Sequence, residues 1–276
     1  MTIADAMTGK ERIALAFARA DAEDRGVLMA YLCAGDPDRT TSAAMIAAMG
    51  TARVDIVELG IPYGDPLADG PTVAAAAQRA LDYGITTDDA LAIAAQAAAN
   101  GAPPIVMFTY YNPVLQYGLE RFADVLVAGG ICGAIVVDVP LEEMDDLRRA
   151  FGPRELALPL LVAPTTPASR ARTIAASSDG FTYLVSRLGV TSAALGPDFA
   201  WIADRVASLR EGNVGKLAIG FGISTAAHVA AACAIADGAI VGSALIDSYA
   251  GTSGAEAVDR ARAFIGDLHM GTVRTH

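Results

Sequence analysis

The chain has 276 residues, of which 53% are hydrophobic, and a formal net charge of −11. That length exceeds an ordinary domain but suits one α/β barrel, and the apolar fraction indicates a large buried core rather than disorder. The acidic balance, with 20 Lys and Arg scattered and no basic run longer than Arg148-Arg149, argues against a nucleic-acid or anionic-membrane surface. No stretch reaches about eighteen uncharged apolar residues, so no membrane span is expected. The first 24 residues mix Asp5, Lys10, Glu11, Arg12, Asp21, Glu23 and Asp24 among alanines. They lack the apolar core of a secretory signal and read as a capping helix, which makes the cytoplasm the expected compartment.

Short apolar runs then alternate with longer Ala-rich segments, the pattern of parallel βαβ units. In chain order the strands are expected at 27–33, 54–59, 104–110, 134–139, 158–163, 181–186, 217–221 and 238–241. The helices between them are expected at 40–49, 72–83 with 87–99, 119–128, 142–151, 168–177, 199–210 and 225–236, and a last one at 254–268 closes the chain. Thr165-Thr166-Pro167, Gly196-Pro197-Asp198 and Ser224 supply a cap or a Pro near three helix starts. Eight strands buried on both sides, each followed by a helix, suggest an α/β fold of one domain over 1–276: a (β/α)8 TIM barrel with an extra N-terminal helix. A doubly wound open sheet is the alternative, weakened because no G-x-G-x-x-G turn follows the first strand.

The block Val57-Glu58-Leu59-Gly60-Ile61-Pro62-Tyr63-Gly64-Asp65-Pro66-Leu67-Ala68-Asp69-Gly70 carries the most chemistry. An apolar strand delivers Glu58 to its tip, where a charge is costly, and a loop stiffened by two prolines carries further acids. A carboxylate on a strand tip with another on the following loop is how a barrel enzyme assembles an acid/base pair. A turn with solvated carboxylates would also read D-x-x-x-D-G. Further along, Gly220-Phe221-Gly222-Ile223-Ser224 and Gly242-Ser243-Ala244 follow the seventh and eighth strands. Neighbouring glycine loops backed by helix N-termini favour phosphate, and without Lys or Arg the binding would be mostly main-chain. Plain βα-turn glycines are the alternative.

The loop from Ser186 to Pro197 is rich in small residues and bounded by Gly and Pro, which suits a mobile lid or a plain connector. Tyr183, in the strand before it, faces either the barrel mouth or outward; the pattern alone does not decide. Cys33, Cys132 and Cys233 read as small core residues. The three histidines, His228, His269 and His276, form no H-E-x-x-H or His/Cys cluster, so neither a transition-metal site nor a Ser-His-Asp triad is expected.

Taken in order, these motifs resemble the tryptophan synthase α subunit family over nearly the whole chain. The 57–70 block is the most specific part. Supporting it are Ala34-Gly35-Asp36-Pro37, Asp138-Val139-Pro140, Thr182-Tyr183-Leu184-Val185-Ser186-Arg187 with Gly189-Val190-Thr191, the 220–224 block and Gly242-Ser243. The resemblance implies retro-aldol cleavage of indole-3-glycerol phosphate to indole and glyceraldehyde 3-phosphate. It implies no cofactor in this chain, and transfer of indole to a pyridoxal-phosphate-bearing β subunit in an α2β2 heterotetramer.

Residue by residue, Glu58 matches the general acid/base, and among apolar neighbours its protonated form is favoured. Asp69 matches the carboxylate that accepts the indole N–H and must stay ionised on a wetter loop. Tyr183 matches the tyrosine beside the substrate. The phosphate would be held at Gly222, Gly242 and Ser243, with a further contact at Ser192, where the family usually has glycine. Gly64 is a smaller departure. The resemblance implies an indole pocket of Phe221, Tyr31, Phe108 and Ile135, lid positions at Arg187 and Thr191, and a β-subunit interface at Pro62, Asp65, Asn112 and Pro113. Three other readings share parts of this pattern: a stand-alone lyase that releases free indole, a non-catalytic barrel that only activates its partner, and another phosphate-binding barrel.

Overall fold

In the computed structural model, which describes residues 7–186, 199–212 and 214–274, eight parallel strands form one sheet in the order β4-β3-β2-β1-β8-β7-β6-β5. The strands are β1 (Val27–Cys33), β2 (Ile56–Gly60), β3 (Ile105–Thr109), β4 (Gly133–Val136), β5 (Leu160–Val162), β6 (Phe181–Val185), β7 (Lys216–Gly220) and β8 (Gly238–Val241). The ends meet where Gly133 bridges Ala157 in parallel, with Ala134 N donating to Ala157 O at 3.0 Å and Ala157 N to Cys132 O at 2.9 Å. Those bonds bring β4 and β5 together, and the expected eight-stranded barrel is the observed one. β1 and β2 are buried along their whole length, as parallel strands covered by helices must be.

Twelve α-helices surround the barrel among the described residues: α1 (Gly9–Ala22), α2 (Arg39–Thr51), α3 (Pro71–Asp82), α4 (Thr87–Ala99), α5 (Tyr111–Tyr117), α6 (Leu119–Ala128), α7 (Asp145–Phe151), α8 (Ala168–Ala176), α9 (Phe199–Arg210), α10 (Ala226–Ile235), α11 (Ser243–Tyr249) and α12 (Gly254–His269). Local chemistry explains several starts. Thr8 and Glu11 cap α1 reciprocally, and Thr86 with Asp89 does the same for α4. Pro71 occupies the first position of α3, where its missing N–H costs nothing. The extra N-terminal helix, α1, packs across the end of the barrel opposite the strand tips. Its Phe17 meets Phe181 at 6.2 Å between ring centroids, and Ile13 and Phe17 are at most 1% exposed. Each such side chain contributes roughly 1.5–3 kcal/mol on burial.

Two helices are absent from the sequence reading, which ends the third strand at 110 with no helix before 119, and which places no helix between 241 and 254. α5 starts because Asp138, beyond β4, accepts the Tyr111 N–H at 2.7 Å, a cap 27 positions away that no local pattern reveals. Pro113 fits its first turn, where helix N–H groups have no intrahelical partner anyway. α11 is seven residues long and begins at Ser243. Strands β3, β4 and β5 are shorter than expected, and β2 begins at Ile56 rather than 54. α7 begins at Asp145, the residues from 141 to 143 forming a single 3₁₀ turn instead. Thr225, not Ser224, caps α10, its side chain accepting from His228 N.

Below the strands, Arg25 and Asp55 form a nearly buried pair, with side chains 9% and 11% exposed and contacts of 2.7 and 2.8 Å. Asp55 also accepts the Leu28 N–H at 2.9 Å, fixing where β1 begins beside the α2–β2 turn. Among the described residues, no helix is long and apolar enough to cross a membrane. Asp55→Ala strands a guanidinium and a strand N–H together. We expect a loss of about 3 kcal/mol in unfolding free energy, near the low end for a broken buried pair because Glu23 still contacts Arg25. A urea midpoint equal to that of the wild type would show that the pair contributes nothing.

Candidate active site

Glu58 is the middle residue of β2, in register with Tyr31 on β1 and Val106 on β3. It is 1% exposed, and neither carboxyl oxygen has a hydrogen-bond partner among the described residues. Loss of water around it pushes its pKa up to about 8, so near neutral pH it is mostly protonated. Asp69 lies on the loop after β2, one residue before the Gly70 cap of α3. It is half-buried rather than bathed in water, and burial pushes its carboxyl up to about 6, moderated by a hydrogen bond from Tyr110. The expectation of a wet, freely ionised Asp69 is therefore corrected: the loop folds back over the barrel mouth and takes the group partly out of solvent.

Tyr183 points inward. Burial raises its phenol well above the usual range, and the charges of Glu58 and Asp69 add to the effect. Because β6 and β2 lie on opposite sides of the barrel, those groups meet only across its interior. Two glycines make room. A methyl group on Gly220 would sit 2.1 Å from the Tyr183 hydroxyl, and one on Gly60 would sit 2.3 Å from that of Tyr31. Tyr31 and Phe108 stack edge-on at 5.3 Å and Tyr183 and Phe221 at 5.9 Å, while the fully buried Ile135 pairs in register with Phe108. Apolar side chains thus surround the two acids.

The glycine loops occupy neighbouring strands, β7 and β8. After Gly220, Phe221 and Gly222 both adopt the left-handed region, at φ 72° and 77°. For Phe221 that conformation is strained, and Ser186 holds it, donating its hydroxyl to the Phe221 carbonyl. Gly242 caps α11 without a side-chain bond and Ser243, 8% exposed, opens that helix. Both loops lack Lys and Arg, so any anion there meets amides and a hydroxyl. Ser192, Arg187 and Thr191 lie outside the described residues.

Behind these loops the fully buried Asp36 carboxylate accepts Arg79 Nε at 2.7 Å, Arg79 Nη2 at 3.1 Å and the Tyr249 hydroxyl at 2.9 Å. Arg79 is on α3 and Tyr249 ends α11, so one carboxylate joins the helix after Asp69 to the helix after Gly242. Sequence reasoning quoted Asp36 only within the 34–37 motif and placed Tyr110 at the end of a strand, giving neither a role of its own. The partner side chains are remote in sequence, and the only local signal was that each sits just beyond a strand tip.

Of the expected interface residues, Asp65 and Asn112 are exposed and Pro113 is half-buried, but Pro62 is buried within this chain. The loop after β2 and α5 touch one another, Asn112 Nδ2 donating to the Tyr63 hydroxyl at 3.3 Å. Leu67 and Leu115, from these same two elements, are 82% and 51% exposed. Among the described residues no group of three or more His, Cys, Asp or Glu could hold a metal ion, and all three cysteines are buried.

The family model described as tryptophan synthase alpha chain matches residues 17–272. A protein of that name from Chloroflexus aurantiacus is 45% identical over 266 residues, covering 95% of this chain and 99% of that one. Another, from Opitutus terrae, is 41% identical over 265 residues, covering 95% and 99%. Among solved structures, a Mycobacterium tuberculosis tryptophan synthase chain superposes with a TM-score of 0.88 at 34% identity, covering 96% of this chain and 99% of that one. A tryptophan synthase subunit alpha from Legionella pneumophila superposes with a TM-score of 0.83 at 31% identity, covering 96% and 98%. With two acids inside a barrel mouth, aromatic rings beside them and glycine loops on adjacent strands, the chain belongs to the tryptophan synthase alpha chain family.

Proposed function

We propose that the barrel mouth cleaves indole-3-glycerol phosphate to indole and glyceraldehyde 3-phosphate, with Glu58, Asp69 and Tyr183 as the catalytic residues and the whole chain acting as one domain. The observation that carries this assignment is the contrast between the acids: Glu58 is unpartnered and pushed up to about 8, Asp69 is hydrogen-bonded and pushed up to about 6. Between those values one acid is protonated and the other ionised, the split that acid/base work at neutral pH requires.

In the forward direction Glu58 delivers a proton to indole C3. Asp69 accepts the indole N–H and stabilises the positive ring that results. Loss of the proton from the side-chain hydroxyl then makes the carbonyl of the aldehyde, and the electrons of the breaking carbon–carbon bond restore the aromatic ring. Glu58, now ionised, is the base best placed to take that proton. Tyr31, Phe108, Ile135 and Phe221 bind the indole by apolar contact, and Tyr183 stands beside the reacting carbons. Phosphate is held at Gly222, Gly242 and Ser243 by backbone N–H groups with the Ser243 hydroxyl assisting. In so acidic a chain a local amide cradle is what overcomes the unfavourable net field.

The partner in this reading is the β subunit, in an α2β2 heterotetramer. Docking is through the loop after β2 and through α5, where Asp65, Asn112 and Pro113 are joined by the exposed Leu67 and Leu115; Pro62 shapes the loop from inside. This chain carries no cofactor of its own, and pyridoxal phosphate belongs to the partner. The enzyme works in the cytoplasm.

The direct test is turnover of indole-3-glycerol phosphate with and without β subunit, by wild type, Glu58→Gln and Asp69→Asn. Each variant should lose about 10²–10⁴-fold, and the β subunit should raise the wild-type rate. Wild-type turnover by Glu58→Gln would remove the acid from that residue, and no response to the β subunit would indicate a stand-alone lyase. The kcat/KM profile of the free chain should be a bell, rising as Asp69 ionises near about 6 and falling as Glu58 loses its proton near about 8.

Stability should move the other way. Folding raises the Glu58 pKa from 4.5 to about 8, so the folded state holds a proton that the unfolded state releases. Stability from this group is whole below pH 4.5 and declines as pH rises towards 8. Glu58→Gln should therefore unfold at a higher temperature than wild type at pH 8 and gain nothing at pH 4. A gain independent of pH would refute the raised value.

A further inference from the structure

We infer that Tyr110 is a positioning residue for Asp69: its phenol anchors the loop after β2 and aims its single proton at the Asp69 carboxylate. The inference rests on the catalytic reading of Asp69 given above. Tyr110 is the residue between β3 and α5, and it is 4% exposed. Its hydroxyl oxygen accepts the N–H of Ala68 at 3.0 Å, one residue before Asp69. Its ring lies against Tyr63, on the same loop, with centroids 5.2 Å apart. Two contacts on one side chain thus hold both ends of a loop otherwise exposed at Gly64, Asp65, Leu67 and Ala68.

The polarity of this arrangement follows from counting protons. A tyrosine hydroxyl has one hydrogen to donate. With its oxygen already receiving the Ala68 N–H at 3.0 Å, one residue from Asp69, the hydrogen remains available to that carboxylate, and the phenol lowers the Asp69 pKa against the larger effect of burial. An ionised carboxylate accepts that proton more strongly than a neutral carboxyl does. Tyr110 therefore favours the charged form of Asp69 against the burial that opposes it, and leaves the second carboxylate oxygen for the indole N–H.

The other titratable groups facing this pair all oppose the charge or stand aside from it. Tyr31 and Cys33 on β1 and Tyr183 on β6 are buried and neutral, their own pKa values raised in part by Asp69. Glu58 on β2 is protonated near neutral pH. Burial chiefly, then the charge of Asp69 and last that of Asp138 beyond β4, push the Tyr110 phenol upward. Among these groups, the Tyr110 hydroxyl is the one whose hydrogen bond favours ionised Asp69.

The experiment compares wild type and Tyr110→Phe, which keeps the ring against Tyr63 and removes only the hydroxyl. Carbon-13 NMR titration of the Asp69 carboxyl in the free chain should show a higher midpoint in the variant. With β subunit saturating, the acid limb of kcat/KM should move to higher pH by the same amount, and kcat near pH 7 should fall about 10- to 100-fold, the size of a hydrogen bond to a charged group. In an Asp69→Asn background the same substitution should change kcat less than threefold, since the residue acts through that carboxylate. An unmoved NMR midpoint, or an equal loss of rate in both backgrounds, would overturn the inference. Wild type failing to cleave indole-3-glycerol phosphate with β subunit present would overturn the catalytic reading instead, while the NMR titration would still decide whether Tyr110 governs Asp69.

Discussion

A carboxyl group sealed inside a strand, with no donor among the described residues to satisfy either oxygen, is the constraint around which this barrel mouth is arranged. Burying an ionised carboxylate without partners costs far more than a folded chain can spare, so the group keeps its proton instead. Any donor placed beside Glu58 would stabilise its anion and lower its pKa, removing the property that makes it an acid at neutral pH. Its neighbours in register, Tyr31 and Val106, supply bulk rather than hydrogen bonds. The same sealing sets the demands on the rest of the site. Asp69, half-buried in the same mouth, ionises only against burial, and the Tyr110 phenol eases that penalty.

Space for this arrangement comes from absences. Gly60 and Gly220 end strands β2 and β7, and the phenols of Tyr31 and Tyr183 fill the volume where their side chains would have been. The aromatic pairs that result, Tyr31 with Phe108 and Tyr183 with Phe221, give a flat substrate an edge-on apolar wall. Behind them, Asp36 draws Arg79 and Tyr249 onto one carboxylate, so the helix following Asp69 and the helix following Gly242 cannot shift independently. Two other ion pairs, Arg25–Asp55 and Lys216–Asp237, lie at the strand starts, where they fix the barrel rather than the chemistry.

Much of the scaffold is legible from residue order alone. The eight branched apolar runs and the Ala-rich segments between them required parallel strands and covering helices, and β1, β8, α4, α6 and α9 begin and end where the pattern places them. Glu58 was legible because an acid inside an apolar strand is rare without a purpose. The glycine loops at 220–224 and 242–244 were legible because they recur at matching places on successive strands. The short helix α5 was not, since its first N–H is capped by Asp138 from another unit, and Pro113 inside a local window reads as a turn. Tyr110 and Asp36 were missed for a related reason: each acts on partners at least 40 residues away, such as Ala68 and Arg79.

The amino-acid sequence by itself determined the order of units, the barrel class, and the positions of the acids and the glycine turns, because hydrophobic period and backbone chemistry are local properties. Only the tertiary structure decided that Tyr183 faces inward, that Pro62 is covered, and that Asp69 is half-buried beneath a phenol. Those outcomes depend on which groups from distant strands meet at the mouth. Proximity there is what sets solvation, and solvation sets the charge state of both acids.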